Sequence, residues 1–215
     1  MDQNVKGTRY NNWLVEGKNL LMELNLADTK KWMNLFVEEV EKNKSNLNEL
    51  DTAIGDGDHG TNMDRGMQAI TAALEKKEPS DLAELYKTVA FAMIQKIGGA
   101  SGPLYGTAFL DMSKKAKETA DLTELIQVGT DGLKRRGQSD VGMKTMIDVW
   151  QPVATALKDN KFNQQAVDEA LESTKDMVAT KGRASYLEEK SRGHLDPGSQ
   201  SSAYLFGALI KVIGV

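Results

Sequence analysis

Residues 53–60 read AIGDGDHG, which places two aspartates, one histidine and three glycines in eight positions, with Asp51 just before them. The stretch stands between two segments in which apolar residues recur at the three- and four-residue spacing of a helix. We therefore predict a flexible, acidic connection between two helices. Glycine-rich connections of this kind recur three more times along the chain.

Apolar residues recur at helical spacing almost everywhere, and no stretch alternates strictly enough to predict a strand. The fold class is therefore predicted to be all-α. Residues 1–27 are expected to form an N-terminal extension with one amphipathic helix around Tyr10, Trp13, Leu14, Leu20 and Leu21, and residues 28–215 to form the main domain. The eight helices of that domain are expected at about 29–46, 61–76, 81–97, 103–119, 121–136, 145–159, 163–180 and 199–214.

The connections between these helices alternate in character. The second, fourth and sixth are short, reading KEPS, AD and NKF. The first, third, fifth and seventh are NELDTAIGDGDHG, GGASGP, RGQSDVGMK and KGRASYLEEKSRGHLDPG. Because short connections favour antiparallel neighbours, the helices are expected to run up and down. The four glycine-rich loops would then meet at one end, as in a site built on loops over a rigid scaffold.

Composition excludes several classes of function. The net charge is −4 with acids and bases interspersed, which argues against nucleic-acid and membrane-surface binding driven by bulk charge. The chain has no cysteine, so disulfides and thiolate chemistry are excluded. The sequence contains no apolar run long enough for a membrane span, and its first residues lack the apolar core of a signal peptide. We expect a cytoplasmic protein.

The acidic stretch is a candidate metal site. Asp51, Asp56 and Asp58 would repel one another unless a cation neutralised them, and Mg²⁺ prefers such oxygen ligands. A solvated turn is the alternative, since Asp and Gly are common turn residues. An EF-hand loop is excluded, because Met67 occupies the position of its bidentate glutamate.

The second and third glycine-rich loops are candidate phosphate sites. In GGASGPLYG, residues 98–106, a helix can start at Pro103, and its free N–H groups together with Ser101 would bind an anion. The alternative is a glycine-rich turn that permits close helix packing. The segment GQSDVGMKT, residues 137–145, nearly matches a Walker A loop, but Met143 interrupts it and no strand precedes it, so a P-loop fold is rejected. A helix start capped by Asp140 or Thr145 remains open for this segment.

The last loop carries Arg183, whose guanidinium could make forked hydrogen bonds to phosphate. Its end, Asp196-Pro197-Gly198, is either part of a site or simply a turn that enters a helix. The chain has two histidines, His59 and His194, and both fall in these loops, where each is either functional or an ordinary surface residue. Oxygen ligands, anion-binding loops and an arginine together indicate Mg²⁺, a nucleotide and phosphoryl transfer.

Four motifs in this order resemble the L subunits of dihydroxyacetone kinases, the ADP-binding subunits. They are LDTAIGDGDHGTNMDRG, GGASGPLYGTAFL, KTMIDVW and KGRASYL followed by GHLDPGSQSSAYLF. The resemblance runs from about residue 28 to the C-terminus. It implies an antiparallel eight-helix barrel with the nucleotide at one end, in agreement with the argument from the loops.

The resemblance also implies site residues. Asp51, Asp56 and Asp58 match aspartates that bind two Mg²⁺ ions on the nucleotide phosphates. The positions that match ADP contacts are His59, Gly60, Thr61, Asn62, Ala100, Ser101, Gly137, Met146, Arg183, Asp196, Pro197 and Gly198.

A free L subunit resembles the phosphotransferase-system form of the enzyme. There, ADP stays tightly bound, a phosphohistidine on subunit M converts it to ATP, and the γ-phosphoryl group passes to dihydroxyacetone on subunit K. The chain would supply no covalent nucleophile, and some members form homodimers or bind transcription regulators. Two alternatives remain: a nucleotide-binding regulatory module, or the L subunit of a kinase for a related triose or sugar.

The sequence departs from this family at three places. Residues 1–27 extend beyond the usual start. Glu188 stands where many relatives have glycine, and Met143 stands where an acid often precedes the lysine. These departures affect local loop contacts and leave the three aspartates unchanged.

Overall fold

The computed structural model describes the backbone of residues 13–16 and 19–215, with side-chain environments from Met22 onward. Within this part of the chain the fold is all-α, as predicted, apart from one short hairpin that was not predicted. The helices are α1 (Leu26–Lys42), α2 (Lys44–Ile54), α3 (His59–Lys76), α4 (Leu82–Lys96), α5 (Ser101–Lys115), α6 (Leu122–Gly137), α7 (Ile147–Lys158), α8 (Gln164–Ser173) and α9 (Pro197–Ile213). Two 3₁₀ segments, Thr174–Asp176 and Arg183–Ser191, lie between α8 and α9.

Eight of these helices pack in a closed ring. Helix α1 contacts α3, each helix from α3 to α8 contacts the next, and α9 contacts both α8 and α1. The remaining helix, α2, packs outside this order against α3 and α9. Because the long connections alternate with short ones around the ring, the long ones gather at one end.

Helix α2 corrects the prediction for the first connection. Residues 44–54, which the sequence places partly at the end of the first helix and partly in a loop, form a separate helix. Its side chains Leu47, Asp51 and Ile54 are buried at helical spacing, which holds it against α3 and α9. Asp51 therefore lies on the last turn of a helix, and only residues 55–58 connect α2 to α3.

The N-terminal region also differs from expectation. Two antiparallel strands, β1 (Trp13–Glu16) and β2 (Asn19–Met22), occupy positions predicted to lie on an amphipathic helix. Trp13, Leu14, Leu20 and Leu21 are therefore strand residues, whereas Tyr10 lies outside the described residues. Glu16 pairs with Asn19 and Trp13 with Met22, which defines the register of the two strands. The division of the chain into residues 1–27 and 28–215 stays a prediction.

The core of the ring is apolar and aromatic. Trp32, Phe36 and Trp150 are fully buried, and the indole N–H of Trp32 donates to the carbonyl of Leu205 at 2.7 Å. At the end opposite the long connections, helices start with side-chain caps: Asp81 on α4, Asp121 on α6 and Asn163 on α8. In the described part of the chain, no helix is long and apolar enough to span a membrane.

Candidate functional site

The four glycine-rich connections meet around one cavity of about 250 Å³. Its lining includes residues from the turn between α2 and α3, the start of α5, the loop before α7 and the segment before α9. The convergence of loops expected from their alternation along the sequence is therefore present. Of the residues proposed as ligands, those on the wall are Asp51, Asp56, Asp58, His59, Asn62, Ala100, Ser101, Met146, Arg183, Asp196, Pro197 and Gly198.

The three aspartates form a cluster at this cavity. One carboxylate oxygen from each of Asp51, Asp56 and Asp58 lies within 4.8 Å of the other two. Asp51 is 8% exposed, whereas Asp56 and Asp58 are exposed. Hard divalent cations take carboxylate oxygens as ligands, and a cation here would also relieve the mutual repulsion of the three charges. The donor set therefore fits Mg²⁺.

Asp51 also organises the turn that carries the other two acids. Its Oδ2 accepts hydrogen bonds from the backbone N–H groups of Asp58 at 2.8 Å and His59 at 3.0 Å, which caps the start of α3. A Cβ at Gly55 would lie 2.1 Å from Asp51 Oδ1, and Gly57 has a φ of +78°. Glycine is required at both positions for the backbone to fold around the carboxylate.

Two arginines lie beside the acidic cluster. Arg183 Nη2 is 2.9 Å from Asp56 Oδ2. On the other side, the amide of Asn62 donates to Asp58 Oδ1 at 2.6 Å, and Arg65 donates to the amide oxygen of Asn62. The first pair is largely exposed, so its attraction is weakened by solvent.

The start of α5 presents backbone donors to the cavity. The N-cap position is Ala100, whose side chain cannot accept a hydrogen bond, in contrast to the capped starts of α4, α6 and α8. Gly98, Gly99, Ala100 and Ser101 all line the cavity. An uncapped helix start with an adjacent hydroxyl is suited to bind an anion. The helix begins two residues before Pro103, the expected start.

His59 is buried beneath the aspartates. It is 7% exposed, and burial lowers its pKa from 6.5 to about 4, although the carboxylate of Asp58 and the carbonyl of Pro197 oppose that change. Its ring nitrogens face two hydroxyls: Nδ1 lies 3.3 Å from Ser101 Oγ, and Nε2 lies 3.0 Å from Ser201 Oγ. The imidazole is therefore neutral at neutral pH.

Lys144, which was not among the predicted ligands, is one of the most buried residues at the cavity. It is 1% exposed, and its ammonium donates to the carbonyls of Thr174 at 2.7 Å, Met177 at 3.2 Å and His194 at 2.5 Å. Burial lowers its pKa. The ammonium therefore ties the segment between α8 and α9 to the loop before α7.

Asp148 organises that loop. Its carboxylate accepts from the backbone N–H of Gly142 at 2.5 Å and of Thr145 at 2.8 Å, and burial raises its pKa. The sequence motif at residues 137–145 indicates a candidate phosphate-binding loop, but it does not show which side chains in and beside the loop are buried. Asp140, one of the two suggested helix caps, instead forms an ion pair with Lys134.

Asp196 caps α9 at the cavity. Its Oδ2 accepts from the backbone N–H of Ser199 at 2.6 Å. The side chain is 8% exposed, and burial raises its pKa from 3.8 to about 7. The turn Asp196-Pro197-Gly198 thus serves both as a helix start and as part of the cavity wall.

The remaining predicted residues lie off this cavity. Gly60 and Thr61 pack α3 on α2: a Cβ at Gly60 would lie 2.0 Å from the carbonyl oxygen of Lys44, and the Thr61 hydroxyl accepts from Asn48 at 3.0 Å. Gly137 lines an adjoining cavity of about 390 Å³, which shares Ala100, Leu104, Thr145, Met146, Lys181 and Gly182 with the first. His194 does not line either cavity, and its carbonyl accepts from Lys144.

Comparison with known proteins identifies relatives of the chain. The model of the DAK2 domain family matches residues 53–211. PEP-dependent dihydroxyacetone kinase 1, ADP-binding subunit DhaL, of Listeria innocua serovar 6a is 54% identical over 185 residues, which cover 84% of this chain and 93% of the relative. The PTS-dependent dihydroxyacetone kinase, ADP-binding subunit DhaL, of Lactococcus lactis subsp. lactis is 47% identical over 190 residues, covering 88% of this chain and 99% of the relative.

A solved structure has the same fold. The dihydroxyacetone kinase from C. freundii in complex with AMP-PNP and Mg²⁺ superposes with a TM-score of 0.72 at 25% sequence identity. The match covers 98% of this chain and 38% of the C. freundii chain, so this chain corresponds to little more than a third of that protein.

Proposed function

This chain belongs to the DAK2 domain family, and from that premise we propose that it is the ADP-binding subunit of a phosphoenolpyruvate-dependent dihydroxyacetone kinase. In this role ADP stays bound to the chain as a coenzyme. The phosphohistidine of a subunit M phosphorylates ADP, and the γ-phosphoryl group then passes to dihydroxyacetone held on a subunit K. The reaction takes place in the cytoplasm.

The observation that carries this proposal is that groups suited to bind a cation and groups suited to bind an anion line the same cavity. The carboxylates of Asp51, Asp56 and Asp58 lie within 4.8 Å of one another, where they suit a cation. At the same cavity, the uncapped start of α5 and the guanidinium of Arg183, which lies beside Asp56, suit an anion. A metal-bound polyphosphate satisfies both requirements at once.

Asp51, Asp56 and Asp58 are the residues that would hold two Mg²⁺ ions. When bound, the metal ions supply neutralisation of the charge on the phosphate oxygens during transfer. The backbone hydrogen bonds from Asp58 and His59 hold the Asp51 carboxylate in a fixed orientation before any ligand binds. Such preorganisation lowers the cost of binding and of transfer.

The other residues at the cavity would orient the nucleotide. Ser101 and the N–H groups at the start of α5 lie where they can donate to phosphate oxygens. The adjoining cavity has apolar walls that include Leu104, Leu133 and Met146, and it can accommodate the adenine ring. In this arrangement Gly137 lies beside the base, while Pro197 and Gly198 border the phosphates.

The chain offers no covalent phosphoryl carrier at this site. His59 is buried with both ring nitrogens facing hydroxyls, and His194 lies off both cavities. The phosphoryl group would therefore pass directly between the nucleotide and the partner subunits. Positioning and charge stabilisation supply most of the catalysis in such a transfer.

Reconstitution tests the proposal. The purified chain is combined with the K and M subunits of a phosphoenolpyruvate-dependent dihydroxyacetone kinase, the phosphoryl-carrier proteins that feed subunit M, phosphoenolpyruvate, dihydroxyacetone, Mg²⁺ and a catalytic amount of ADP. We expect dihydroxyacetone phosphate to form in many-fold excess over ADP, and only when the chain is present. Binding of Mg-ADP without any transfer would exclude the dihydroxyacetone kinase role, and absence of Mg-ADP binding would exclude the nucleotide site itself.

A further inference from the structure

A series of buried polar groups connects the core of the protein to the cavity. The indole N–H of Trp150 donates to Ser202 Oγ at 3.1 Å, and Ser202 Oγ lies 2.9 Å from the hydroxyl of Tyr105. That hydroxyl lies 2.8 Å from Ser201 Oγ. Trp150, Tyr105, Ser201 and Ser202 are all 0% exposed, so these groups form hydrogen bonds within the protein and not with bulk water.

The series continues to the cavity wall through His59. Ser201 Oγ lies 3.0 Å from His59 Nε2, and His59 Nδ1 lies 3.3 Å from Ser101 Oγ. Ser101 lines the cavity at the start of α5. Five hydrogen bonds therefore join an indole in the core to a hydroxyl that faces the proposed phosphate site.

The chemistry of these groups allows one continuous direction for the hydrogen bonds. An indole N–H can only donate, each hydroxyl has one proton, and a neutral imidazole has one donor and one acceptor nitrogen. If every group between the indole and Ser101 accepts one hydrogen bond and donates one, Ser201 donates to His59 Nε2, and His59 Nδ1–H donates to Ser101. The hydroxyl proton of Ser101 is then left to point into the cavity.

We propose that this buried series holds His59 in its Nδ1–H tautomer, so that Ser101 donates a hydrogen bond to an anion in the cavity, with Tyr105 as a positioning residue. The part of this inference that concerns the anion rests on the proposed function. Tyr105 touches neither cavity and acts on Ser101 only through Ser201 and His59. Ser101 would otherwise be free to rotate its hydroxyl away from the ligand.

The opposite direction is the competing arrangement. The carbonyl of Gly198 accepts from Ser201 Oγ at 3.0 Å and from Ser202 Oγ at 2.8 Å, and the carbonyl of Pro197 also faces the imidazole. If the Ser201 hydroxyl donated to the carbonyl of Gly198, His59 would carry its proton on Nε2, and its Nδ1 would accept a hydrogen bond from Ser101. The lone pairs of Ser101 would then face the cavity, which is unfavourable for a phosphate oxygen.

Two tyrosines provide a matched pair of variants. Tyr105→Phe removes the hydroxyl between Ser202 and Ser201 and keeps the ring. Tyr86→Phe makes the same change at another tyrosine that is 0% exposed, whose hydroxyl lies near Thr29 without a hydrogen-bond partner among the described residues. Ser201→Ala is a second variant that interrupts the series next to His59.

The test combines two readouts. Long-range ¹H–¹⁵N NMR of the imidazoles gives the tautomer of His59 in the nucleotide-free protein, with His194→Gln used to assign the signals. Calorimetry gives the dissociation constant of Mg-ADP. We expect the Nδ1–H tautomer in the wild type and in Tyr86→Phe, with equal affinities. In Tyr105→Phe and Ser201→Ala we expect a mixture of tautomers and an affinity that falls with the fraction remaining in the Nδ1–H form, about twofold for an equal mixture.

An Nε2–H tautomer in the wild type overturns the proposal. So do unchanged tautomer and affinity in both Tyr105→Phe and Ser201→Ala. If Tyr105→Phe does not fold, Ser201→Ala alone decides the outcome. If the wild type does not bind Mg-ADP, the proposed function fails, and the tautomer of the nucleotide-free protein still confirms or overturns the buried series.

Discussion

Arg183 Nη2 lies 2.9 Å from Asp56 Oδ2, which joins the long segment before α9 to the acidic turn before α3. The arginine side chain is 68% exposed and that of Asp56 is 37% exposed. The pair therefore contributes little to stability, and its significance lies in placing a guanidinium beside the proposed metal ligands.

Arg183→Ala should weaken ligand binding and leave the fold intact. We expect the dissociation constant of Mg-ADP to rise about 10- to 100-fold, because a guanidinium is well suited to phosphate oxygens. The free energy of unfolding should change by less than about 1 kcal/mol, as for other exposed pairs. Calorimetry and urea denaturation measure the two quantities.

Arg192→Ala is the control for this prediction, since Arg192 lies on the same segment and is exposed. Its affinity for Mg-ADP should match that of the wild type. Equal losses of affinity in the two variants would mean that Arg183 has no specific role.

Lys144→Met should destabilise the protein, although methionine fills a similar volume. The three carbonyls that accept from the ammonium would lose a charged donor at a site that is 1% exposed. We expect a loss of about 2–3 kcal/mol in the free energy of unfolding. Hydrogen exchange should become faster in residues 174–196, whereas Lys181→Met should change neither quantity. A Lys144→Met variant as stable as the wild type would show that the ammonium does not hold the segment between α8 and α9 in place.

Asp196 should make the nucleotide-free protein less stable as the pH rises. Its pKa in the folded protein is about 7 and its ordinary value is 3.8, so the folded state binds the proton more tightly. Stability from this group is therefore full below about pH 4 and is lost as the pH rises through about 7. The full loss is on the order of 4 kcal/mol, from roughly 1.4 kcal/mol per pKa unit.

The measurement is urea denaturation at pH 4.5 and 7.5 of the wild type and Asp196→Asn, which retains an acceptor for the N–H of Ser199. At pH 7.5 the variant should be more stable relative to the wild type than it is at pH 4.5. Asp81→Asn alters an exposed helix cap and should show no such shift. The same pH dependence in wild type and Asp196→Asn would show that Asp196 ionises normally.

Glu188→Gly should stabilise the protein. Glu188 has φ 49° and ψ −128°, a conformation that glycine adopts readily and that costs other residues about 1–3 kcal/mol. The structure thus gives a physical reason to expect that glycine would suit this position better than glutamate. We expect a gain of about 1 kcal/mol in thermal or urea denaturation.

The adjacent residue provides the control. Glu189 lies in the same 3₁₀ segment without a positive φ, so Glu189→Gly should be neutral or destabilising. A loss of stability in Glu188→Gly would mean that the strain is compensated by contacts of the glutamate side chain.

The helices and the gathering of loops at one end could be predicted because apolar periodicity and the alternation of long and short connections are properties of the sequence. Helix α2 was missed because Asn48, Asp51 and Thr52 resemble loop composition, although Leu47 and Ile54 have helical spacing. The hairpin was missed because strands of four residues are too short for a clear period.

The aspartates and Arg183 could be predicted as site residues from residue type and from the family resemblance. The inward turn of Lys144 and Asp148 could not be predicted, because burial of a charged side chain depends on carbonyl and amide groups brought close by tertiary packing. The connection of Trp150 to Ser101 depends in the same way on contacts between α3, α5, α7 and α9.

The most direct test of the central claim is calorimetric titration with ADP in Mg²⁺ and in EDTA, using the wild type, Asp56→Asn and Asp131→Asn. Asp131 is an exposed acid on α6, away from the cavity. We predict ADP binding by the wild type and Asp131→Asn in Mg²⁺, and a loss of roughly 100-fold in EDTA or in Asp56→Asn, as expected when carboxylates hold the metal that holds the phosphates. ADP binding that is absent from the wild type, or equal in all of these conditions, would contradict the account.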